Sequence, residues 1–158
     1  MAVEIERKFL IKNDLWRELV ISSADLKQAY IANLANATVR VRIADDKAFL
    51  TIKGPTVGIS RDEFEYAIPL EEAELMLELR SNGVVIEKTR YKVRYVNHIW
   101  DVDIFYGENE GLKVAEVELQ SEEEGFHLPE WVGAEVTGDR RYANSRLAEE
   151  PYCDWRES

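Results

Sequence analysis

The stretch AVEIERKFL, residues 2–10, alternates between apolar and charged side chains. The apolar residues Val3, Ile5 and Phe9 occupy odd-numbered positions, and the charged residues Glu4, Glu6 and Lys8 occupy even-numbered ones. We call each such set of alternate positions a parity. Successive side chains of a β-strand point to opposite faces, so this segment predicts a strand with one apolar and one charged face. The charged face must either meet solvent or surround something charged, and the choice between these two decides the fold.

The composition is acidic and predicts one domain. The 158 residues include 31 Asp and Glu against 20 Lys and Arg, for a formal charge of −11. Nucleic acids and anionic membranes need a broad basic surface, so neither is an expected partner. The charged N-terminus does not resemble a signal peptide, and no apolar run is long enough to span a bilayer. We therefore expect a cytoplasmic protein.

The rest of the chain predicts about eight strands and a few helices. Helices are predicted at residues 13–20, 69–80 and 138–150, the last capped by Asp139. After the opening strand, further strands are predicted at residues 28–34, 38–44, 47–54, 61–70, 84–95, 99–107 and 112–119. This is an antiparallel α+β pattern of a size that can close into a barrel.

The alternation of the opening strand recurs on most of the others, and the signs of the charges are sorted by strand. The carboxylate pairs are Glu4/Glu6, Asp101/Asp103 and Glu116/Glu118, and the cation pairs are Arg40/Arg42 and Lys88/Arg90. The same parity holds Lys53 on one strand and Arg61, Glu63 and Glu65 on another. A single strand of this kind usually has a solvated face, but a solvated face mixes Thr, Ser and Gln with its charges. The recurrence favours a shared ionic surface.

An inverted barrel accounts for both parities. The predicted amphipathic helices need an apolar sheet surface outside the barrel, so the ionic parity lines the lumen. Val3, Ile5 and Phe9 are then expected to point outward beneath helices. Its seven cations and eight carboxylates give a net charge of −1, and buried charges need partners, water or metal. Carboxylates supply the oxygen ligands that Mg²⁺ and Mn²⁺ prefer, and Arg and Lys bind phosphate. The lumen therefore predicts a metal–polyphosphate site.

These motifs resemble a known family. EIERKF is similar to the ExExK signature of the CYTH superfamily, the triphosphate tunnel metalloenzymes. TVRVRI, TIKG, RDEFEY, EKTRY, DVDIF, AEVEL and RRYANSRLA follow in the same order. The resemblance implies an eight-stranded antiparallel closed barrel, or tunnel, with helices packed on its outside. We assign residues 1–148 to a single tunnel domain and residues 149–158 to a C-terminal tail.

The resemblance also implies roles for the lining residues. The metal-binding carboxylates would be Glu4, Glu6, Asp103, Glu116 and Glu118. The phosphate-binding cations would be Lys8, Arg40, Arg42, Lys53, Arg61, Lys88 and Arg90, with Arg61 and Lys88 less firmly matched to the motifs. Glu63, Glu65 and Asp101 would complete the lining. Glu4, Glu6, Lys8 and Glu118 are expected to be central to catalysis, whereas Lys92 and Arg94 continue the parity and lie either in the lining or beyond its rim.

The resemblance implies divalent-metal-dependent hydrolysis of a triphosphate, with Mg²⁺ or Mn²⁺ as cofactor and two ions expected. The short chain resembles compact bacterial members, many of which prefer inorganic tripolyphosphate, giving phosphate and diphosphate. The alternatives are a class IV-type adenylate cyclase and a thiamine or nucleoside triphosphatase. A non-catalytic polyphosphate-binding module is the alternative of another class, although anion binding alone gains nothing from the carboxylates. The expected partner is a small anionic triphosphate, and the protein is expected to be a monomer or a homodimer.

The remaining conspicuous side chains have simpler interpretations. Trp16, Trp100 and Trp131 are expected to be packing residues rather than platforms for a ligand ring. The segment SEEEG, residues 121–125, is interpreted as a solvated loop. The segment from Asp139 onward is a candidate to close one mouth of the tunnel, because a ligand inside needs shielding from water.

Overall fold

The computed structural model describes residues 2–155, in which the chain forms nine β-strands and three α-helices. The strands are β1 Ala2–Ile11, β2 Val20–Leu34, β3 Ala37–Ala44, β4 Lys47–Lys53, β5 Ser60–Ile68, β6 Ile86–Tyr95, β7 His98–Phe105, β8 Lys113–Glu118 and β9 Val132–Glu135. The α-helices are α1 Leu70–Arg80, α2 Asn144–Glu149 and α3 Tyr152–Trp155. Short 3₁₀ helices lie at Leu15–Leu19, Gly107–Asn109 and Arg140–Tyr142. The ends of the predicted domain and tail, residue 1 and residues 156–158, lie outside the described residues.

Eight of the strands close into an antiparallel barrel, which confirms the predicted fold. Around the barrel the order is β1, β5, β4, β3, β2, β6, β7, β8 and back to β1. The first half of β1 pairs with β5, from Ala2↔Glu63 to Ile5↔Ser60. On its other edge β1 pairs with β8, including Glu6↔Glu118. Each barrel strand therefore has two neighbours, and no barrel edge is left for an open sheet.

The ninth strand, β9, was not predicted. It pairs with the second half of β1, at Phe9↔Glu135 and Ile11↔Val132, beyond the end of the pairing between β1 and β5. Four residues, VGAE, are too few to show a period-2 pattern, and their backbone pairing comes from a strand that is distant in sequence. The addition covers an edge that would otherwise expose unpaired backbone groups.

The outer surface of the barrel is apolar, as the parity predicted, but helices cover only part of it. Helix α1 packs over β2, β3 and β4, where Ala73 and Leu77 lie against Val41 and Ala48. The expectation that Val3, Ile5 and Phe9 all lie beneath helices is wrong. Phe9 packs against Phe126, from the irregular segment 119–131, and Val3 is half exposed.

The tryptophans belong to this outer packing, as expected. Trp16, Trp100 and Trp131 are almost fully buried in one cluster, and the rings of Trp100 and Trp131 meet edge to face with centroids 5.6 Å apart. The segment 119–131 contributes Phe126 and Trp131 to the cluster, so it is a packed cover for the barrel and not only a solvated loop. The sequence did not predict this role, because the apolar residues of the segment follow no helical or strand period.

The lumen is ionic at one end and apolar at the other. At the apolar end, inward side chains of β6, β7 and β8, including Ile86, Phe105 and Val114, pack with Leu147 and Ala148 of α2. The predicted helix 138–150 is broken at Ala143, whose backbone is extended between the 3₁₀ helix and α2. Helix α2 therefore plugs one end of the barrel, and the ionic part of the lumen is a cup rather than a through-going tunnel.

Candidate active site

The structure brings most of the predicted lining residues around one cavity of about 330 Å³ inside the barrel. Thirteen of the predicted residues line it: Glu4, Glu6, Lys8, Arg40, Arg42, Lys53, Arg61, Glu63, Glu65, Arg90, Asp101, Glu116 and Glu118. Each lies on the parity expected from the sequence, because the antiparallel registers place their Cα atoms opposite one another, as in Lys8↔Glu116 and Glu6↔Glu118. The inward position of the ionic parity answers the question raised by the opening stretch.

Arginine side chains of β3 supply one wall of the cavity. The Arg42 Nε donates to Gln28 Oε1 at 2.8 Å, and no hydrogen bond within residues 2–155 uses its two terminal nitrogens. Burial, followed by the nearby charges of Arg40 and Arg90, lowers the pKa of Arg42. A guanidinium stays protonated near neutral pH, so Arg42 remains positively charged. The lowered pKa means that too few carboxylates lie nearby to balance this charge.

Beside that wall, Lys53 of β4 is neutralised by carboxylates. Its Nζ lies 2.6 Å from Glu4 Oε2 and 3.3 Å from Glu63 Oε2. Burial alone would raise the pKa of Glu4, but its hydrogen bond with Glu63 and the charges of Lys53 and Arg61 lower it overall. Glu4 is therefore an ionised carboxylate, and any ion that binds here meets oxygen atoms that already carry negative charge.

The opposite wall, between β1 and β8, has an excess of carboxylates. Burial, Glu116 and Glu4 raise the pKa of Glu6 well above its ordinary value. Burial, Glu4 and Asp101 likewise raise the pKa of Glu118, the Cα partner of Glu6. The local cation, Lys8, lies 3.7 Å from Glu116 Oε1 and donates from Nζ to the Tyr142 carbonyl oxygen at 3.1 Å. This wall is short of positive charge.

Two predicted lining residues, Lys88 and Asp103, do not reach the cavity. Lys88 Nζ lies 2.8 Å from Asp103 Oδ2, and Arg90 forms a two-pronged contact with the same carboxylate at 2.8 and 2.9 Å. Burial outweighs the Asp103 charge and lowers the pKa of Lys88 to about 7. The pair lies behind the floor of the cup, where inward side chains are covered by the packing of the apolar end. The alternation of the sequence shows which side chains point inward but not how deep they lie.

Five further residues line the cavity, its rim or its floor: Val3, Tyr30, Lys92, Ala143 and Asn144. Lys92 lies within the lining and pairs with Asp101 at 2.6 Å, which resolves its predicted position. Tyr30 shares the inward parity of β2 with Gln28, so the alternation of QAYIANL carried a signal for it. Asn144 carried no such signal, because it is the first residue of α2 and its place at the floor depends on the extended backbone at Ala143.

A larger cavity, of about 770 Å³, lies outside the barrel between α1 and the β2–β3 edge. Its charged lining is mostly acidic: Asp25, Asp45, Glu74, Glu78 and Glu87, with Lys27 as the one cation. A polyanion would be repelled there, so size does not identify the site. The smaller cavity inside the barrel has the matching charges for a phosphate ligand.

Comparisons with known proteins agree with this architecture. A family model described as the CYTH domain matches residues 2–148. A protein of Acetivibrio thermocellus named inorganic triphosphatase is 46% identical over 99% of this chain and 100% of its own length. A second inorganic triphosphatase, from Nitrosomonas europaea, is 36% identical over 92% of this chain and 96% of its own length.

Among solved structures, the crystal structure of an inorganic triphosphatase aligns with a TM-score of 0.68 and 33% identity. The alignment covers 92% of this chain and 97% of the other. Each of these three alignments covers nearly the whole length of both chains. The likeness therefore extends across the full barrel and both of its walls.

Proposed function

Because this chain belongs to the CYTH domain family, we propose that it is a divalent-metal-dependent triphosphatase that cleaves inorganic tripolyphosphate to phosphate and diphosphate. Both matched relatives are named inorganic triphosphatases, which agrees with the function expected from the sequence. The observation that carries the proposal is the division of one cavity into an arginine wall and a carboxylate wall. Arg42 has unused guanidinium nitrogens on one side, and Glu6 and Glu118 have excess negative charge on the other.

The carboxylate wall fits a divalent cation. Glu6 is half-buried and crowded by Glu116 and Glu4, an oxygen-rich setting of the kind in which Mg²⁺ or Mn²⁺ binds. Within residues 2–155, no three Asp, Glu, His or Cys side chains already converge at metal-binding distance. Phosphate oxygens and water would complete the shell, so metal and substrate would bind together. Glu4, Glu6, Glu116 and Glu118 are the residues proposed to hold the ion or ions.

The chain's own residues would bind and orient the triphosphate. Arg40 and Arg42 would each donate to phosphate oxygens, and Arg42 is aimed by its fixed Nε contact with Gln28. Lys8, held between Glu116 and the Tyr142 carbonyl, would place a further positive charge on the opposite side. A bound divalent ion would supply charge stabilisation at the phosphate oxygens. Phosphoryl transfer depends mainly on positioning and charge stabilisation, so no covalent nucleophile is required.

In this proposal Asp103 does not bind the metal, which was the role inferred from the family motif. Its two oxygens accept from Arg90 and from Lys88, so it fixes those cations. We propose that Asp103 is a counter-ion behind the floor, and that the metal is held by the carboxylates on β1 and β8 instead.

The lining favours an inorganic substrate over a thiamine or nucleoside triphosphate. Tyr30 is the one aromatic side chain among the described residues that line the cavity. Trp16, Trp100 and Trp131, which could stack on a base or a thiazolium ring, are buried in the outer cluster. A substrate whose leaving group is a bare phosphate needs no such platform.

A substrate panel tests the proposal. Purified protein is supplied with Mg²⁺ or Mn²⁺ and offered tripolyphosphate, ATP, thiamine triphosphate or a longer polyphosphate, and the products are identified by phosphorus NMR. We expect the highest kcat/KM with tripolyphosphate, giving phosphate and diphosphate in equal amounts. Preference for ATP with release of diphosphate and a cyclic nucleotide would instead identify a cyclase, and binding without turnover would identify a binding module.

A further inference from the structure

The floor of the cup contains a chain of side-chain amides whose orientations are fixed by cations. Arg42 Nε donates to Gln28 Oε1 at 2.8 Å, and Gln28 Nε2 donates to Asn144 Oδ1 at 3.4 Å. Lys88 Nζ donates to the same Asn144 oxygen at 3.1 Å. These hydrogen bonds join β3, β2, β6 and α2.

The direction of each amide follows from the chemistry of its neighbours. The Arg42 guanidinium can only donate hydrogen bonds. Lys88 Nζ, which lies 2.8 Å from the Asp103 carboxylate, donates to Asn144 Oδ1. Gln28 must therefore turn its oxygen to Arg42, which leaves its nitrogen facing Asn144. Asn144 must turn its oxygen to Lys88, and the same oxygen accepts from Gln28. Neither amide can flip without placing a donor against a donor.

This arrangement leaves the amide nitrogen of Asn144 uncommitted. No hydrogen bond within residues 2–155 uses Asn144 Nδ2, and this nitrogen is not buried. Asn144 itself lines the cavity. The amide therefore has its oxygen held from behind and two N–H donors that a ligand in the cup can reach.

We propose that Asn144 is a substrate-binding residue, whose fixed amide donates a hydrogen bond to a phosphate oxygen at the floor of the cup. This inference rests on the proposed function. A neutral donor suits this position, because the Arg42 guanidinium already places positive charge at the same wall of the cup. Gln28 is the corresponding positioning residue: it joins Asn144 to the Arg42 guanidinium, so the two donors to the substrate are oriented together.

The variant Asn144→Asp separates contact with substrate from support of the floor. Aspartate has the same shape and keeps an oxygen for Lys88 and Gln28, but it replaces the free N–H donors by a charged acceptor that repels phosphate. We expect the KM for tripolyphosphate to rise at least tenfold with little change in Tm. Asn144→Ala removes both functions, so it should raise KM less than Asn144→Asp while lowering Tm more.

The control is Asn33→Ala. The Asn33 amide donates to the Ser145 carbonyl at 3.3 Å and to Glu149 Oε1 at 3.0 Å, so it anchors α2 without lining the cup. It should leave KM within twofold of wild type. The proposal is overturned if Asn144→Asp leaves KM within twofold, or if KM simply follows Tm across the three variants.

A binding measurement keeps this test separate from that of the proposed function. Calorimetric titration of each variant with tripolyphosphate reports the dissociation constant whether or not the protein hydrolyses it. If wild type binds tripolyphosphate without cleaving it, the proposed function fails, and weaker binding by Asn144→Asp still supports the amide contact. If wild type cleaves tripolyphosphate and Asn144→Asp binds it as tightly, the amide contact alone is wrong.

Discussion

At the residue scale, Glu6 shows how an activity can oppose stability. Its carboxyl is buried beside Glu116 and Glu4 without a matching share of cations, and its pKa is raised for that reason. A carboxylate held in this way destabilises the metal-free fold, because burial and like charge both disfavour its ionised form. The same crowding makes the site attractive to a divalent ion. The position is therefore explained by ligand binding and not by folding.

We expect Glu6→Gln to stabilise the metal-free protein at neutral pH, because the variant carries no ionisable group at this position. Between the ordinary pKa of 4.5 and the raised folded value, the folded protein holds a proton that the unfolded chain has lost. The free energy of unfolding of wild type therefore falls as pH rises through this window, whereas the variant lacks this fall. Denaturant melts in chelator at several pH values measure the difference.

The exposed Glu123→Gln is the matched control and should show no such pH-dependent gain. Adding Mg²⁺ with tripolyphosphate should reverse the order of Glu6→Gln and wild type, because only wild type retains the full set of metal ligands. A variant that is less stable than wild type in chelator at every pH would contradict this account of Glu6.

Arg42→Ala tests the arginine wall. The loss of one charge-assisted contact should weaken tripolyphosphate binding by roughly 1.5–3 kcal/mol, which corresponds to a rise in KM of about tenfold to somewhat over a hundredfold. Arg94→Ala, an exposed residue of β6 outside the cavity, is the control for a lost surface charge. Equal KM values for the two variants would remove Arg42 from the site.

At the element scale, most of the barrel strands were predictable, whereas the first half of β2, the added strand β9 and the outer covers were not. Residues on one strand, such as Arg40 and Arg42, carry their own period, and antiparallel pairing then fixes the parity of the neighbouring strand. The cover of the outer surface comes from segment 119–131, in which Phe126 and Trp131 follow no period. Asn144 belongs to the same class, because its place at the floor depends on the extended backbone at Ala143.

The β6–β7 hairpin contains a strained residue. Val96 has a φ of 54°, a left-handed conformation that is costly for a β-branched side chain. We expect Val96→Gly to raise the free energy of unfolding by about 1 kcal/mol, because glycine adopts this conformation without a steric penalty. Asn97→Gly is the control, since its φ is not positive, and it should destabilise the hairpin or leave it unchanged. Chemical denaturation of both variants decides whether this strain is present.

At the scale of the whole molecule, the fold separates two kinds of charge. The protein is acidic overall, yet the cup balances its cations and carboxylates and the large outer groove is acidic. A polyanion is therefore repelled by most of the surface and accepted at one place. Among the described residues, no helix is long and apolar enough to cross a membrane.

Metal removal should abolish turnover without unfolding the barrel. The barrel is closed by backbone pairing and packed by its outer clusters, so neither depends on an ion. We expect no tripolyphosphate hydrolysis in excess chelator, an unchanged circular dichroism spectrum, and recovery on addition of Mg²⁺ or Mn²⁺. Full activity after exhaustive removal of metal would exclude the proposed chemistry.

The central claim is that one cup inside the barrel holds metal and triphosphate on opposite walls. The most direct measurement is a crystal structure with Mn²⁺ and a tripolyphosphate whose bridging oxygens are replaced by nitrogen, with anomalous data collected at the manganese edge. We expect a manganese peak at coordination distance from Glu6 and Glu118, and phosphate oxygens within hydrogen-bonding distance of Arg40, Arg42 and Asn144. Phosphate bound outside the barrel, or manganese away from the β1–β8 carboxylates, would contradict the account.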